Sequence, residues 1–259
     1  MEMIDNFSMD FFSLKGKTAI VTGGNSGLGL AFSMGLAKAG ASLFIPSIIK
    51  DEGEAKAFIE KQGVKAQRLQ IDITEDGAPK KIIDECQSKF GSVDILVNNA
   101  GICKVNSVLE FDRNDWDPMI DVNLTAAFEL IRESAKIMVP QKSGKIINIC
   151  SLFSYLGGRW SPAYSATKHA LAGLTKAYCD ELGQYNIQVN GIAPGYYATK
   201  ITEETRKNPE SNKSVLDHIP ANRWGDPQDL MGAVVFLASQ ASDYVNGHLL
   251  VVDGGYLVR

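Results

Sequence analysis

Thr18-Ala19-Ile20-Val21-Thr22-Gly23-Gly24-Asn25-Ser26-Gly27-Leu28-Gly29 is a short apolar run that enters a glycine-rich turn and passes at once into a helical pattern. Glycines let the backbone turn sharply and approach a pyrophosphate, whose charge is met by the N–H groups of the helix N-terminus. The spacing is G-x-x-x-G-x-G, which differs from the usual G-x-G-x-x-G fingerprint. Taken alone, such a turn is also readable as tight strand-to-helix packing. Its place after the first strand of a strand–helix–strand unit favours phosphate binding. Gly23, Asn25, Ser26, Gly27, Leu28 and Gly29 are the candidate cradle.

Outward from that turn, short apolar runs alternate with longer amphipathic ones. Strands are expected at 18–21, 42–46, 66–71, 93–98, 145–150, 187–192 and 249–252. Most lack strict alternation, as expected where helices cover both faces of a parallel sheet. Helical patterns fall at 28–39, 52–62, 77–90, 116–138, 163–182 and 227–238. The expected architecture is α/β, a Rossmann-type doubly wound sheet of seven parallel strands with helices on both faces, in one domain. Ligands of such sheets sit beyond the carboxyl ends of the strands. No repeat or low-complexity linker divides the chain, so residues 1–13 read as a short arm and 14–259 as the domain. The long irregular stretch 195–226 reads as a lid over the substrate, since long loops in compact domains are often functional.

Composition narrows the partners. The 259 residues are 45% apolar and 22% charged, with a formal charge of −4. Nucleic acid is not expected as a partner, because phosphate backbones attract clustered Lys and Arg. Cys86, Cys103, Cys150 and Cys179 form no C-x-x-C pair and have no His at ligand spacing, so no metal is expected and they read as free thiols. The start of the chain carries Glu2, Asp5 and Asp10 rather than a basic, then apolar, leader. No apolar run approaches the roughly 18–20 residues of a membrane span. A cytoplasmic protein without a membrane partner is the expectation.

Tyr164-x-x-x-Lys168 places a phenol and an ammonium on one helix face. Phenols ordinarily titrate near about 10, and a nearby cation favours the phenolate. An exposed pair gives too little for a large shift, so a chemical role requires a desolvated cleft; otherwise the pair is a solvated helix face. Ser151 follows the strand at 145–150, where ligands belong, and its hydroxyl would hold a substrate oxygen while Tyr164 transfers the proton. A serine there also serves simply to cap a turn.

Together these residues resemble the short-chain dehydrogenase/reductase superfamily from residue 14 to 259. The likeness rests on T-G-x-x-x-G-x-G at 22–29, N-N-A-G at 98–101, the set Ser151, Tyr164 and Lys168, Pro194-Gly195, and Asn123 within Asp121-Val122-Asn123-Leu124. It implies a nicotinamide-dependent oxidoreductase with Asn123, Ser151, Tyr164 and Lys168 as catalytic residues. Tyr164 would be the general acid or base and Ser151 would orient the reacting oxygen. Lys168 would lower the phenol pKa and bind the nicotinamide ribose, and Asn123 would anchor a water in a proton relay. Asp72 and Ile73 would meet the adenine. Asn98, Ala100 and Gly101 would line the adenosine side, and Pro194, Gly195, Tyr197 and Thr199 the nicotinamide and pyrophosphate. A homotetramer follows from the same analogy.

The cofactor expectation is NAD. A carboxylate ending the second strand marks NAD and an arginine marks NADP; here the place falls near Ser47, followed by Ile48 and Ile49, and neither marker is present. Lys50 keeps NADP open. Within the superfamily the carboxyl third is similar to 2-dehydro-3-deoxy-D-gluconate 5-dehydrogenases, through runs such as Ile219-Pro220-Ala221-Asn222-Arg223-Trp224-Gly225 and Ala241-Ser242-Asp243-Tyr244-Val245-Asn246-Gly247. Gluconate 5-dehydrogenase is the near neighbour. The implied substrate is a sugar acid, with 3-deoxy-D-glycero-2,5-hexodiulosonate reduced by NADH. Its carboxylate needs a cation; Lys104, where the subfamily tends to carry Arg, and Arg159 are the candidates, and either also reads as a surface charge. Lys200 and Arg206 on the expected lid are weaker ones. Two rivals remain. A 3-oxoacyl-carrier-protein reductase would share the four residues but normally shows NADPH markers and a basic entrance. A non-catalytic dinucleotide sensor would typically lose the Tyr or the Lys.

Overall fold

All four side chains of Thr18–Val21 are buried, and these residues form β1, an interior strand of a parallel sheet. The computed structural model describes residues 8–50 and 53–259, so the first seven residues of the arm and position 52, the expected start of a helix, lie outside it. The strands that join β1 are β2 (Ser42–Ser47), β3 (Ala66–Gln70), β4 (Ile95–Asn98), β5 (Gly144–Ile149), β6 (Ile187–Pro194) and β7 (Leu249–Val252). Their order is β3-β2-β1-β4-β5-β6-β7, every pairing parallel. Chain order reverses between β1 and β4, which opens a ligand crevice at their carboxyl ends.

Helices cover both faces. On one face α1 (Gly27–Lys38) and α9 (Met231–Ala238) bury Phe32, Met34, Leu36, Val234 and Leu237 against β1, β2 and β4. On the other, α3 (Ala78–Phe90) and α5 (Ala126–Gln141) contribute Ile82, Ile83, Leu130 and Ile131. The helix α3 shows why such segments form: Pro79 occupies its first turn, Ile82, Ile83 and Cys86 make one buried stripe, and Gly91 ends it at φ +83°. α6 (Pro162–Leu182) likewise starts on a proline and buries Ala163, Thr167, Lys168, Leu171 and Thr175.

Three segments depart from the sequence expectations. The helix expected at 116–138 starts earlier, as α4 (Arg113–Ile120), because the Asp112 carboxylate caps the Asn114 and Asp115 amides. It then widens into a π-turn at Asp121–Thr125 before continuing as α5. One wide turn leaves the 3.6-residue periodicity of the flanks intact, so the pattern conceals it. The stretch 195–226 also holds two helices, α7 (Glu203–Lys207) and α8 (Pro209–His218). Neither buries a residue; they are held by the Asn208 cap and by Lys207–Glu203 and Lys213–Asp217 ion pairs. Apolar periodicity is therefore silent there. Among the described residues no helix is long and apolar enough to cross a membrane. The four cysteines are free, Cys86 and Cys150 being buried.

A buried polar chain joins the layers: Asn98 Nδ2 donates to Asn148 Oδ1 (2.9 Å), and Asn148 Nδ2 donates to Thr175 Oγ1 (2.9 Å). It links β4, β5 and α6 just below the crevice. Replacing Asn148 by Leu strands the Asn98 amide in the core, and the expected loss is about 2–3 kcal/mol, or roughly 4–12 °C in thermal midpoint. An unchanged midpoint by calorimetry would show that the layers do not depend on this chain.

Candidate active site

Gly23 and Gly27 adopt left-handed φ of +64° and +51°, which bends the chain from β1 into α1. The turn is pinned from β4: Thr22 Oγ1 accepts the Asn99 and Ala100 amides at 3.0 and 2.9 Å, and Asn99 Nδ2 donates to the Thr22 carbonyl at 2.8 Å. Ser26 precedes α1 in extended backbone and makes no side-chain cap, so the first N–H groups of this 12-residue helix stay available to an anion. Gly29 lets the helix close on the turn; a Cβ there would run into the Gly23 carbonyl and lie 2.5 Å from Asn99 Nδ2.

Beside the turn lies a cleft of about 660 Å³ lined by Asn25, Leu30, Ile49, Lys50, Glu54 and Phe58. Asn25 is buried; its Nδ2 donates to the Ile49 carbonyl at 3.2 Å, while its Oδ1 has no partner among the described residues. Ser47 is buried and accepts the Ile49 amide at 3.2 Å. Further along, Asp72 caps its own turn, accepting the Thr74 amide (2.9 Å) and hydroxyl (2.7 Å), with Ile73 buried next to it. Asn98 belongs to the polar chain described above, and a Cβ on Gly101 would lie 3.2 Å from Asn123 Oδ1. A Cβ on Gly195 would lie 2.6 Å from Asp253 Cα, so the chain leaving Pro194 passes directly against the end of β7. Thr199 bonds within its own turn, its carbonyl taking Arg206 Nη2 at 2.9 Å. Tyr197 points inward at 4% exposure and donates its hydroxyl to the Val252 carbonyl at 2.9 Å.

The residues expected to carry chemistry converge where β5 meets α6. Ser151 follows β5 by two residues, is buried, and accepts the Phe153 amide at 3.2 Å, so it does cap a turn; its hydroxyl also hydrogen-bonds Tyr164. Tyr164 is part-buried one turn into α6, edge-on to Phe153 at 5.9 Å. Lys168 is only 4% exposed, with Nζ 5.5 Å from the Tyr164 ring centre and donating to the Ile149 carbonyl at 2.6 Å. The solvated-face reading of this pair is therefore excluded for Lys168. Asn123 sits in the π-turn, buried, exchanging hydrogen bonds with the Ile102 backbone (2.8 and 2.9 Å) and donating to Thr167 Oγ1 at 3.3 Å.

Burial sets the electrostatics of the phenol and the ammonium. Burial pushes the Tyr164 phenol up to about 12; the Ser151 hydrogen bond works against this, and the nearby Cys103 and Cys150 thiols add to it. Burial likewise holds the Lys168 ammonium below its usual range. Desolvation dominates the phenol, the Lys168 ammonium being directed at the Ile149 carbonyl, so the phenol is protonated at neutral pH.

Lys104 and Arg159 lie on two exposed segments fastened to each other. Ser161 Oγ donates to the Lys104 carbonyl (2.6 Å) and the Asn106 amide to the Trp160 carbonyl (2.8 Å). Arg206 is used within its own segment, and Lys200 is exposed. Sequence reasoning missed Thr22, Asn99, Ser154 and Thr167. The first two are legible as members of T-G and N-N-A-G. Ser154, whose hydroxyl donates to the Lys168 carbonyl (2.8 Å), carries no sequence signal.

A family model described as enoyl-(acyl carrier protein) reductase matches residues 23–257. The chain is similar to the Escherichia coli K12 protein named uncharacterized oxidoreductase YgcW, 79% identical over 259 residues, covering 100% of this chain and 99% of that one. It is also similar to the Bacillus subtilis 2-dehydro-3-deoxy-D-gluconate 5-dehydrogenase, 44% identical with 96% and 98% covered. Among solved structures, a putative 2-deoxy-D-gluconate 3-dehydrogenase from Agrobacterium tumefaciens with bound NADP has 44% identity and a TM-score of 0.89, with 96% and 99% covered.

The crowding at Gly29 makes a direct test of the turn. Gly29→Ala is expected to weaken binding of NADH or NADPH more than tenfold in fluorescence titrations while circular dichroism stays native. Unaltered binding would show that this turn is not the dinucleotide cradle.

Proposed function

This chain belongs to the short-chain dehydrogenase/reductase family, and from that membership we propose that it reduces a ketone on a sugar acid, 3-deoxy-D-glycero-2,5-hexodiulosonate foremost, with NADH. The observation that carries the chemistry is the meeting of Ser151, Tyr164 and buried Lys168 at the carboxyl end of β5. The substrate class rests on relatives named for 2-dehydro-3-deoxy-D-gluconate, the Bacillus subtilis enzyme among them.

The nicotinamide, when bound, supplies or accepts the hydride. Ser151 and Tyr164 hold the ketone oxygen from two sides, and the protonated phenol gives up its proton as charge develops on that oxygen. Lys168 stabilises the phenolate so formed, and its buried position makes the charge felt at short range. Asn123 fixes the Ile102 strap and Thr167 beside this centre. The segment 195–226 closes over the substrate, with α7 and α8 as its moving parts.

The preference for NADH is supported by Asn25. Its amide nitrogen is used by Ile49, so the buried atom left over is an acceptor, which suits a ribose hydroxyl and disfavours a phosphate. Ile48 and Ile49, exposed at 64% and 51%, offer a 2′-phosphate no charge. NADP is the rival, favoured by Lys50 in the same cleft and by the NADP bound in the Agrobacterium tumefaciens relative. The expected ratio of kcat/KM is at least tenfold towards NADH. A ratio towards NADPH that collapses in Lys50→Ala would establish the rival.

A panel of keto-deoxy and hexonic acids tests the substrate; turnover confined to gluconate and its 5-keto form would move the assignment to gluconate 5-dehydrogenase. Tyr164→Phe is expected to lose about 10²- to 10⁴-fold in both directions. Because the phenol is pushed up to about 12, kcat/KM for reduction should stay level from about pH 6 to 9. Oxidation should climb steadily with pH over the same range, since it needs the phenolate. A level oxidation profile would remove Tyr164 as the base.

A further inference from the structure

Trp160 holds a backbone conformation that its own side chain disfavours, with φ at +65°. Bulky residues rarely enter this left-handed region, and those that do cluster at ligand clamps. The surroundings force the geometry. The Trp160 carbonyl accepts the Asn106 amide, the buried Ser161 bonds Lys104 and the Gly158 carbonyl, and the Gly158 amide donates to Ser165 Oγ at 2.7 Å. A glycine would make the same turn without strain, and glycines occupy 157 and 158 close by.

Nor is the ring there to fill the core. It is 56% exposed, and the Arg159 guanidinium lies over it, 4.4 Å from the ring centre. Among the described residues Arg159 forms no ion pair, so its charge is held in place against the ring yet not neutralised. The pair stands four and five residues ahead of Tyr164, and the strap sewn to it exposes Ile102 and Val105 at 36% and 68%.

We propose that Trp160 is a specificity-determining residue of the active site. Its ring receives the carbon chain of a polyhydroxy carboxylate whose carboxylate pairs with Arg159. This rests on the sugar-acid reading given above. Polyol C–H edges are weakly positive and suit the negative face of an indole. A guanidinium already stacked on a ring loses less freedom when it grips a carboxylate in bidentate fashion. The strained backbone keeps both groups facing the solvent mouth, where a reducible ketone further along the chain reaches Ser151 and Tyr164.

The test compares Trp160→Gly, Trp160→Phe and Arg159→Met with the wild-type enzyme, on a 2-keto-3-deoxy sugar acid substrate and on a small uncharged ketone. Glycine relieves the left-handed strain, so Trp160→Gly should melt at or above the wild-type midpoint. Its KM for the acid should rise at least tenfold more than its KM for the neutral ketone, with Trp160→Phe restoring part of the loss. Arg159→Met should raise KM for the acid, and the double variant should cost less than the product of the single losses. A well-folded Trp160→Gly with acid KM within twofold of wild type overturns this proposal alone. A wild-type enzyme that reduces the neutral ketone but no sugar acid overturns the sugar-acid reading and this proposal together.

Discussion

One hydrogen bond organises this molecule's chemistry: the Lys168 ammonium given to the Ile149 carbonyl at 2.6 Å. A buried cation with no carboxylate beside it is costly unless dipoles compensate it. Here the last residue of a central strand supplies that dipole. The contact therefore fixes α6, which carries Tyr164, against the end of β5, two residues before Ser151. Ser154 locks the arrangement from the other side through the Lys168 carbonyl. The buried ammonium is thus a structural pin, inseparable from the sheet that holds it.

The glycine turn shows the same dependence on the sheet. Thr22 and Asn99 tie the turn to β4, so the N-terminus of α1 is positioned by a neighbouring strand rather than by the turn alone. The π-turn at Asn123 adds a third support. By widening one turn of a long helix it aims an amide side chain back at the Ile102 strap, which continues into Cys103 and Lys104. Backbone irregularity here serves orientation.

Most of the sheet was legible before any coordinates, because buried parallel strands are unbroken apolar runs and their number and order follow from alternation with helices. The convergence of Ser151, Tyr164 and Lys168, with Asn123 near them, was legible through their motifs and their places at strand and helix ends. Asp72 was placed in the sequence as an adenine contact; in the structure its carboxylate closes an Asx turn with Thr74, a local bond that the pattern Asp-Ile-Thr permits but does not announce. The inward turn of Tyr197 was hidden because its partner, Gly225, is far away in sequence and pairs with it through an isolated bridge. The sign of the Tyr164 shift was hidden for a different reason. Spacing reveals which charges are near but not how much water has been removed.

The helices α7 and α8 bury nothing, and their caps and ion pairs are all local. Their longer ties run to the carboxyl end of the chain rather than to the core: Arg259 Nη1 donates to the Asp217 carbonyl at 2.6 Å, and the His218 ring centre lies 4.2 Å from that of Tyr256. A rearrangement of residues 203–218 would therefore be felt first by Trp224, Tyr256 and Arg259, and only through them by the buried sheet.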